Sequence, residues 1–298
     1  MMSRRVFLAG AGSVAVLAAC GGSDTPSGSA SGTASPGPKS AGGRVLGAGF
    51  ADGFSAPSVL VAGLAQRLPL VVFDADGSPV REGGPDSFEV AVLRNNAIVA
   101  TSTVTRHSSG IPTPYYPLTF TPTEAGDYEA RAAFSSRAMP FKVATRDTVK
   151  LVQVGDPLRP VATPTLTDAR GVNPICTRSP KPCPFHTTTL TDAIAARKPT
   201  VFVVSTPGFC QTAICGPVLE LLIDLAPGLP RFQFIHAEVY VEPNKKISGA
   251  PKTTDAVSVY GLQYEPSLFV ADADAIVRAR LDFSWDRAEL DAALAQVR

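Results

Sequence analysis

The chain has 298 residues, and its 27 Lys and Arg nearly balance its 26 Asp and Glu, which leaves a formal net charge of +1. A chain with so little net charge has no electrostatic field that would attract nucleic acid or acidic lipid. We therefore expect no nucleic-acid partner. A chain of this length can form two domains, each with its own core.

The first twenty residues have the organisation of a signal peptide. Arg4 and Arg5 precede an uncharged, mostly apolar run over residues 6–19. This run is shorter than the roughly 20 residues that a helix needs to cross a bilayer, so we expect no permanent transmembrane helix there. Residues 17–20, Leu-Ala-Ala-Cys, resemble the bacterial lipobox, whose cysteine is acylated and becomes the new N-terminus after cleavage. The resemblance implies a lipoprotein that is cleaved before Cys20. Acyl chains such as palmitate on Cys20 would anchor it to the outer face of a cell membrane.

The route of export has two interpretations. Residues 3–8, Ser-Arg-Arg-Val-Phe-Leu, resemble the twin-arginine signal, with Ala9 where a lysine is often found. That resemblance implies export of an already folded protein. The alternative is a general secretory signal, since basic residues begin most export signals. Residues 21–43 are nearly all Gly, Ser, Ala, Thr and Pro, which predicts a disordered tether.

Residues 44–150 read as an all-β domain. Short β-rich runs, separated by turn signals such as Asp76-Gly77 and Asn95-Asn96, occur at 70–73, 88–93, 98–104, 116–120, 128–134 and 141–143. Regular short strands without helical periodicity favour a sandwich of two sheets. The turn before Tyr128 resembles the tyrosine corner of immunoglobulin-like domains, which implies a sandwich of that kind.

Residues 160–298 alternate between strand and helix patterns, as in an α/β domain with helices around a mixed sheet. A β-branched and aromatic run at 200–205 predicts a buried strand, and an apolar stretch at 218–225 predicts the helix that follows it. Cys210 and Cys215 lie between the two. Cysteines at such a junction resemble the redox site of thioredoxin-like proteins, and Glu265-Pro266 resembles the family's cis-proline loop.

The resemblance implies roles for four residues in thiol–disulfide exchange. Cys210 would attack a partner disulfide and Cys215 would resolve the mixed disulfide, while Phe209 and the backbone of Pro266 would bind the partner chain. Three features depart from the family. Four residues separate the cysteines instead of two, Phe209 replaces the usual tryptophan, and Val204 occupies the position of a buried acid that assists proton transfer. We therefore expect no carboxyl beside the sulfurs.

Cys176 and Cys183 lie in a proline-rich loop, where we predict a structural disulfide because irregular loops gain most from covalent closure. Cross-pairing with the other two cysteines stays open, since four cysteines allow three connectivities. We interpret His186 and His236 as structural, with His236 and Glu238 forming a buried hydrogen-bonded pair. With Met139 as the mature chain's one methionine, we expect no metal site and no cofactor.

The sequence leaves three functions open. The first is thiol–disulfide exchange with exported or envelope proteins that carry disulfides. The second is a non-catalytic envelope scaffold with inert disulfides, and the third is a copper-handling protein of thioredoxin fold.

Overall fold

The computed structural model describes residues 43–50, 56, 58–210, 213–245 and 251–297. All of these residues belong to one compact unit, Lys39–Arg298. The predicted signal peptide, Cys20 and all but the last residue of the predicted tether lie outside the described residues, so the lipid anchor stays a prediction. Within the described ranges, no helix combines the length and the apolar character that a membrane crossing requires.

The described chain is mostly β-structure, with twelve strands in three sheets and four short α-helices. The strands are β1 (Val45–Ala48), β2 (Leu60–Val61), β3 (Gln66–Phe73), β4 (Ser87–Arg94), β5 (Ala97–Thr105), β6 (Tyr116–Phe120), β7 (Gly126–Arg131), β8 (Met139–Ala144), β9 (Thr200–Val204), β10 (Gln233–Ala237), β11 (Ser267–Ala271) and β12 (Val277–Asp282). The helices are α1 (Leu190–Ala195), α2 (Cys215–Leu225), α3 (Asp255–Tyr260) and α4 (Arg287–Ala295).

Two of the sheets form the predicted all-β region. Their strand orders are β1-β3-β6 and β2-β8-β7-β4-β5. Aromatic pairs cross from one sheet to the other, with ring centroids 4.7 Å apart for Phe88 and Tyr116 and 5.7 Å apart for Phe120 and Phe141. The two sheets therefore share a core. The hydroxyl of Tyr128 donates to the carbonyl of Glu124, four residues upstream, at 2.8 Å, as the resemblance to a tyrosine corner implies.

The third sheet has the order β10-β9-β11-β12. Strand β9 runs parallel to β10 and antiparallel to β11, and β11 runs antiparallel to β12. Every residue of β9 and β11 is buried, because helices cover both faces of the sheet. Helix α2 shares a core with Val201 and Val203 on one face, and α1 and α3 share another with Phe202 and Val204 on the opposite face.

Buried polar contacts join the N-terminal sheets to helix α4. The guanidinium of Arg67 on β3 pairs with the carboxylate of Glu289 at 2.5 Å and donates to the carbonyl of Asp282 at 2.8 Å. The hydroxyl of Tyr115 donates to the same glutamate. A hydrogen bond of 2.9 Å also links His107 Nδ1 to Asp286, the N-cap of α4. These contacts fix the orientation of the last helix against the all-β region.

Candidate functional site

Cys210 and Cys215 form a disulfide at the junction of β9 and α2, with their Cα atoms 5.9 Å apart. Strand β9 ends at Val204, the chain turns through Thr206, Pro207 and Gly208, and Cys215 is the first residue of α2. The sequence allowed three pairings of the four cysteines, and the structure joins Cys210 to Cys215, at the junction where the resemblance implied the redox site. Their part in exchange stays a prediction.

The two sulfurs differ in their access to solvent. Cys210 is half-buried, and the neighbouring Phe209 is 53% exposed, whereas Cys215 is fully buried. Cys215 also lies at the N-terminus of an eleven-residue helix whose first turn holds Pro217 and no acidic residue. The positive end of the helix dipole favours a thiolate on Cys215 after reduction.

A carboxyl group lies beside the buried sulfur. Glu265 Oε2 is 3.6 Å from Cys215 Sγ and accepts the backbone N–H of Thr206 at 2.5 Å. Burial raises the pKa of Glu265 to about 7, although the bonds from Thr206 act in the opposite direction. The expectation that no acid stands near the sulfurs, drawn from Val204, is therefore wrong. A residue in the loop before β11 supplies the carboxyl that β9 lacks.

The Glu265-Pro266 peptide bond is cis, as predicted. Pro266 is buried, and its carbonyl accepts the backbone N–H of Phe283 at 2.9 Å. This loop brings Glu265 to the disulfide, and the carbonyl of the following residue, Pro266, anchors the loop to the end of β12. Hydrogen bonds between the backbone around Pro266 and a bound partner chain stay a prediction.

The predicted structural disulfide between Cys176 and Cys183 is not formed. Both are free thiols, and both are buried, at 4% and 2% exposure. The prediction is wrong because the two cysteines pack against two histidines, which the sequence of the loop alone does not reveal. His186 follows the loop, His236 lies on β10, and both are fully buried.

These four side chains form a compact cluster, called here the Cys/His cluster, of Cys176, Cys183, His186 and His236. One ligand atom from each lies within 4.8 Å of all the others. His236 Nδ1 is 3.2 Å from His186 Nε2 and 3.5 Å from Cys183 Sγ. The hydrogen bond with Cys183, aided by contacts with both histidines, lowers the pKa of the Cys176 thiol despite its burial. Together the four side chains offer two sulfur and two nitrogen donor atoms, a set of the kind that binds metal ions.

Thr177 connects the cluster to the disulfide loop. Its Oγ1 accepts the backbone N–H of Gly208 at 2.9 Å, two residues before Cys210. Its own hydroxyl and backbone N–H donate to Glu238 Oε1 at 3.0 and 2.5 Å. A side chain at Gly208 would place its Cβ 2.9 Å from the carbonyl of Thr177, so glycine is needed for this close approach. The predicted pairing of Glu238 with His236 is replaced by this contact with Thr177.

Burial raises the pKa of Glu238 to about 8, against the lowering effect of its bonds from Thr177.

Sequence reasoning missed Glu265 and the Cys/His cluster as functional candidates. The signal for the cluster was present in the short span Cys176, Cys183 and His186, read together with a histidine on a neighbouring strand. No local signal pointed to Glu265, since a fold is needed to bring it to Cys215.

Comparisons with known proteins add no assignment. No family profile matches the chain, and no curated protein does. Among solved structures, a metagenome-derived glycoside hydrolase family 9 endoglucanase is similar to 34% of this chain over 18% of its own length, with 16% identity and a TM-score of 0.24. The ZirS C-terminal domain is similar to 43% of this chain over 86% of its own length, with 18% identity and a TM-score of 0.21. Likenesses this weak carry no argument about fold or function.

Proposed function

We propose that this protein is a lipid-anchored thiol–disulfide exchange protein that acts on the disulfides of exported proteins at the outer face of a membrane. The observation that carries the proposal is the asymmetry of the Cys210–Cys215 disulfide. Cys210 is half-buried beside an exposed phenylalanine, whereas Cys215 is fully buried at a helix N-terminus, with its sulfur 3.6 Å from a carboxyl oxygen. A purely structural staple needs neither an open sulfur nor a titratable neighbour.

The geometry supports a division of labour in the reduced protein. The thiolate of Cys210 attacks one sulfur of a partner disulfide, which breaks that bond and forms a mixed disulfide while the partner's second sulfur leaves as a thiolate. Cys215 then attacks Cys210 Sγ, re-forms the internal disulfide and releases the partner as a dithiol. A dithiol protein would reduce the internal disulfide again for the next cycle.

Glu265 fits the role of proton acceptor in the second step. Because its pKa is about 7, a large share of it is ionised at neutral pH and can take the proton of the Cys215 thiol. Its oxygen already lies within reach of that sulfur in the oxidised form. The bond from Thr206 holds the same oxygen in place.

A thioredoxin-like assignment of residues 160–298, beside an immunoglobulin-like sandwich at 44–150, is consistent with this chemistry. The supporting features are a mixed sheet covered by helices on both faces, cysteines between a central strand and a helix, and a cis-proline loop before β11. The cross-sheet core and the Tyr128 hydrogen bond support the sandwich.

The membrane location rests on the lipobox-like residues 17–20 alone. Two or more acyl chains would hold the protein stably, since each buried methylene contributes about 0.8 kcal/mol. Labelling of the expressed chain with radioactive palmitate tests this part. We expect label on the wild type and none on Cys20→Ser, which should leave the membrane fraction. Equal membrane retention of the two would contradict the anchor.

Exchange itself is tested by trapping. In Cys215→Ser the attack by Cys210 still occurs but resolution does not, so mixed disulfides with a small disulfide substrate and with envelope proteins should accumulate. The matched control is Cys210→Ser, which retains the Cys215 thiol of the pair but lacks the more exposed nucleophile and should trap far less. The reduction potential of the wild-type pair should lie above about −300 mV, because structural disulfides lie below that value.

A potential below that limit, together with no trapped species in Cys215→Ser, would refute exchange and favour the non-catalytic scaffold. The palmitate result is independent of this outcome.

A further inference from the structure

We propose that the Cys/His cluster is a structural zinc site, in which Cys176, Cys183, His186 and His236 bind one Zn²⁺ ion. The Cys/His cluster is separate from the Cys210–Cys215 disulfide, and the zinc proposal does not depend on the exchange function proposed for that disulfide. Its support comes from the tautomers of the histidines, the spacing of the donor atoms and the charge of the assembled site.

Backbone carbonyls indicate which ring nitrogen of each histidine carries the proton. His186 Nδ1 is 3.4 Å from the carbonyl oxygen of Pro164, and His236 Nε2 is 3.0 Å from the carbonyl oxygen of Ser205. A carbonyl oxygen can only accept, so these two nitrogens are the donors. In metal sites a backbone carbonyl often accepts the N–H of a ligating histidine and so holds the ring with its other nitrogen toward the metal.

The remaining nitrogens, His186 Nε2 and His236 Nδ1, then present lone pairs to each other at 3.2 Å in a fully buried space. Two acceptors at that distance repel unless a positive centre lies between them. The two thiols that complete the cluster supply the other donors around such a centre.

Two of the donor spacings agree with tetrahedral zinc. Zn–N bonds of 2.0–2.1 Å and Zn–S bonds of about 2.3 Å place the two nitrogens about 3.3 Å apart and a sulfur about 3.6 Å from a nitrogen. The corresponding distances here are 3.2 Å between the histidine nitrogens and 3.5 Å between Cys183 Sγ and His236 Nδ1. The backbone N–H of Cys183 also donates to Cys176 Sγ at 3.4 Å, which stabilises a thiolate.

Charge favours a divalent ion. Two thiolates and two neutral imidazoles carry a charge of −2, so Zn²⁺ makes the buried site neutral, whereas Cu⁺ would leave an uncompensated negative charge. Four protein donors close the coordination shell, as in structural and not catalytic zinc sites. The ion would hold the irregular loop of Cys176 and Cys183 against β10.

The test uses the full chain purified in detergent. Elemental analysis should give about one zinc per chain, and replacement by Co²⁺ should produce thiolate charge-transfer bands with the visible absorption of tetrahedral cobalt. Titration of thiols in the non-reduced, unfolded protein should find those of Cys176 and Cys183, which is two in Cys20→Ser and also two in the wild type when Cys20 carries its lipid. These wild-type measurements do not depend on whether a variant folds.

Variants locate the ion. His186→Gln and Cys183→Ser should lose zinc to the background level. Two controls should keep it, namely His107→Gln, which alters the third histidine of the chain, and the double variant Cys210→Ser/Cys215→Ser, which removes the redox pair.

Several outcomes would overturn the proposal. One is a reduced wild type that takes up neither Zn²⁺ nor Co²⁺, which would mean that the thiols and imidazoles form only a hydrogen-bonded cluster. Another is peptide mapping that finds Cys176 joined to Cys183. Copper in place of zinc would overturn the identity of the metal, and zinc lost only from the Cys210 and Cys215 double variant would place it elsewhere.

Discussion

The two cysteine pairs of this chain have similar separations but different surroundings. Cys210 and Cys215 are joined, with one sulfur half-buried, at the start of a helix. Cys176 and Cys183 are separate, buried and packed against two histidines. The neighbour of the first pair is a carboxyl whose pKa is near 7, and the neighbours of the second are imidazoles held by backbone carbonyls.

This difference shows that spacing alone does not decide what a cysteine pair does. A half-exposed sulfur with a proton acceptor suits exchange, whereas buried sulfurs facing nitrogen lone pairs suit a metal. The two sites are nevertheless adjacent, because Thr177 contacts Gly208 in the disulfide loop. The predictions below separate the sites, from the largest expected effect to the smallest.

The largest difference should appear in thiol alkylation after mild reduction. We expect Cys210 to react roughly 10³-fold faster than Cys176 and Cys183, because labelling of those buried sulfurs requires local opening that costs about 4 kcal/mol. Mass spectrometry of the labelled peptides over time measures the rates. Similar rates for the two pairs would show that their environments do not differ in solution.

Replacement of Glu265 by glutamine should slow resolution of the mixed disulfide by roughly 10²-fold, the effect expected when a general base is lost. In the wild type this rate should rise with pH through about 7 as the carboxyl ionises, and the variant should lack that inflection. Stopped-flow kinetics of the mixed disulfide measure both effects. The control is Glu242→Gln, which alters an exposed acid. An unchanged pH profile in Glu265→Gln would exclude the carboxyl from the reaction.

The strands were the most predictable part of the fold. Expected runs at 116–120 and 200–205 agree with β6 and β9 within one residue, because alternation or continuous burial leaves a clear trace in sequence. Strand β2 has two residues, too few to show a period. Helix caps were less predictable. Residue type predicts Thr191 and Ser284 as the N-caps of α1 and α4, which is wrong, because Thr189 caps α1 and Asp286 caps α4.

The candidate site was predictable only where its residues are neighbours in sequence. The disulfide and the cis-proline each came from a local motif. Glu265 is 50 residues from Cys215, and His236 is 53 residues from Cys183. Those contacts depend on the pairing of β9 with β10 and β11, which no motif encodes. Each histidine taken singly is an ordinary buried group.

Removal of the Thr177 hydroxyl should test the link between the two sites. Thr177→Val keeps the shape but loses the bonds to Gly208 and Glu238, which should lower the free energy of unfolding by about 1–2 kcal/mol. Urea denaturation measures the change, and Thr177→Ser, which keeps the hydroxyl, is the control. If the sites are linked, alkylation of reduced Cys210 should also accelerate in the valine variant. Unchanged stability and labelling would mean that the two sites are independent.

The smallest effect concerns partner binding. Phe209 is 53% exposed beside Cys210, so Phe209→Ala should leave the free energy of unfolding within about 0.5 kcal/mol of the wild type. Loss of its ring should nevertheless raise KM for a peptide disulfide about fivefold, since an exposed aromatic anchor contributes about 1 kcal/mol to binding. Ile98→Ala is the matched control, because Ile98 is an exposed apolar residue, at 65%, on β5. An equal KM for both variants would remove Phe209 from the partner-binding surface and leave recognition to the backbone around the disulfide.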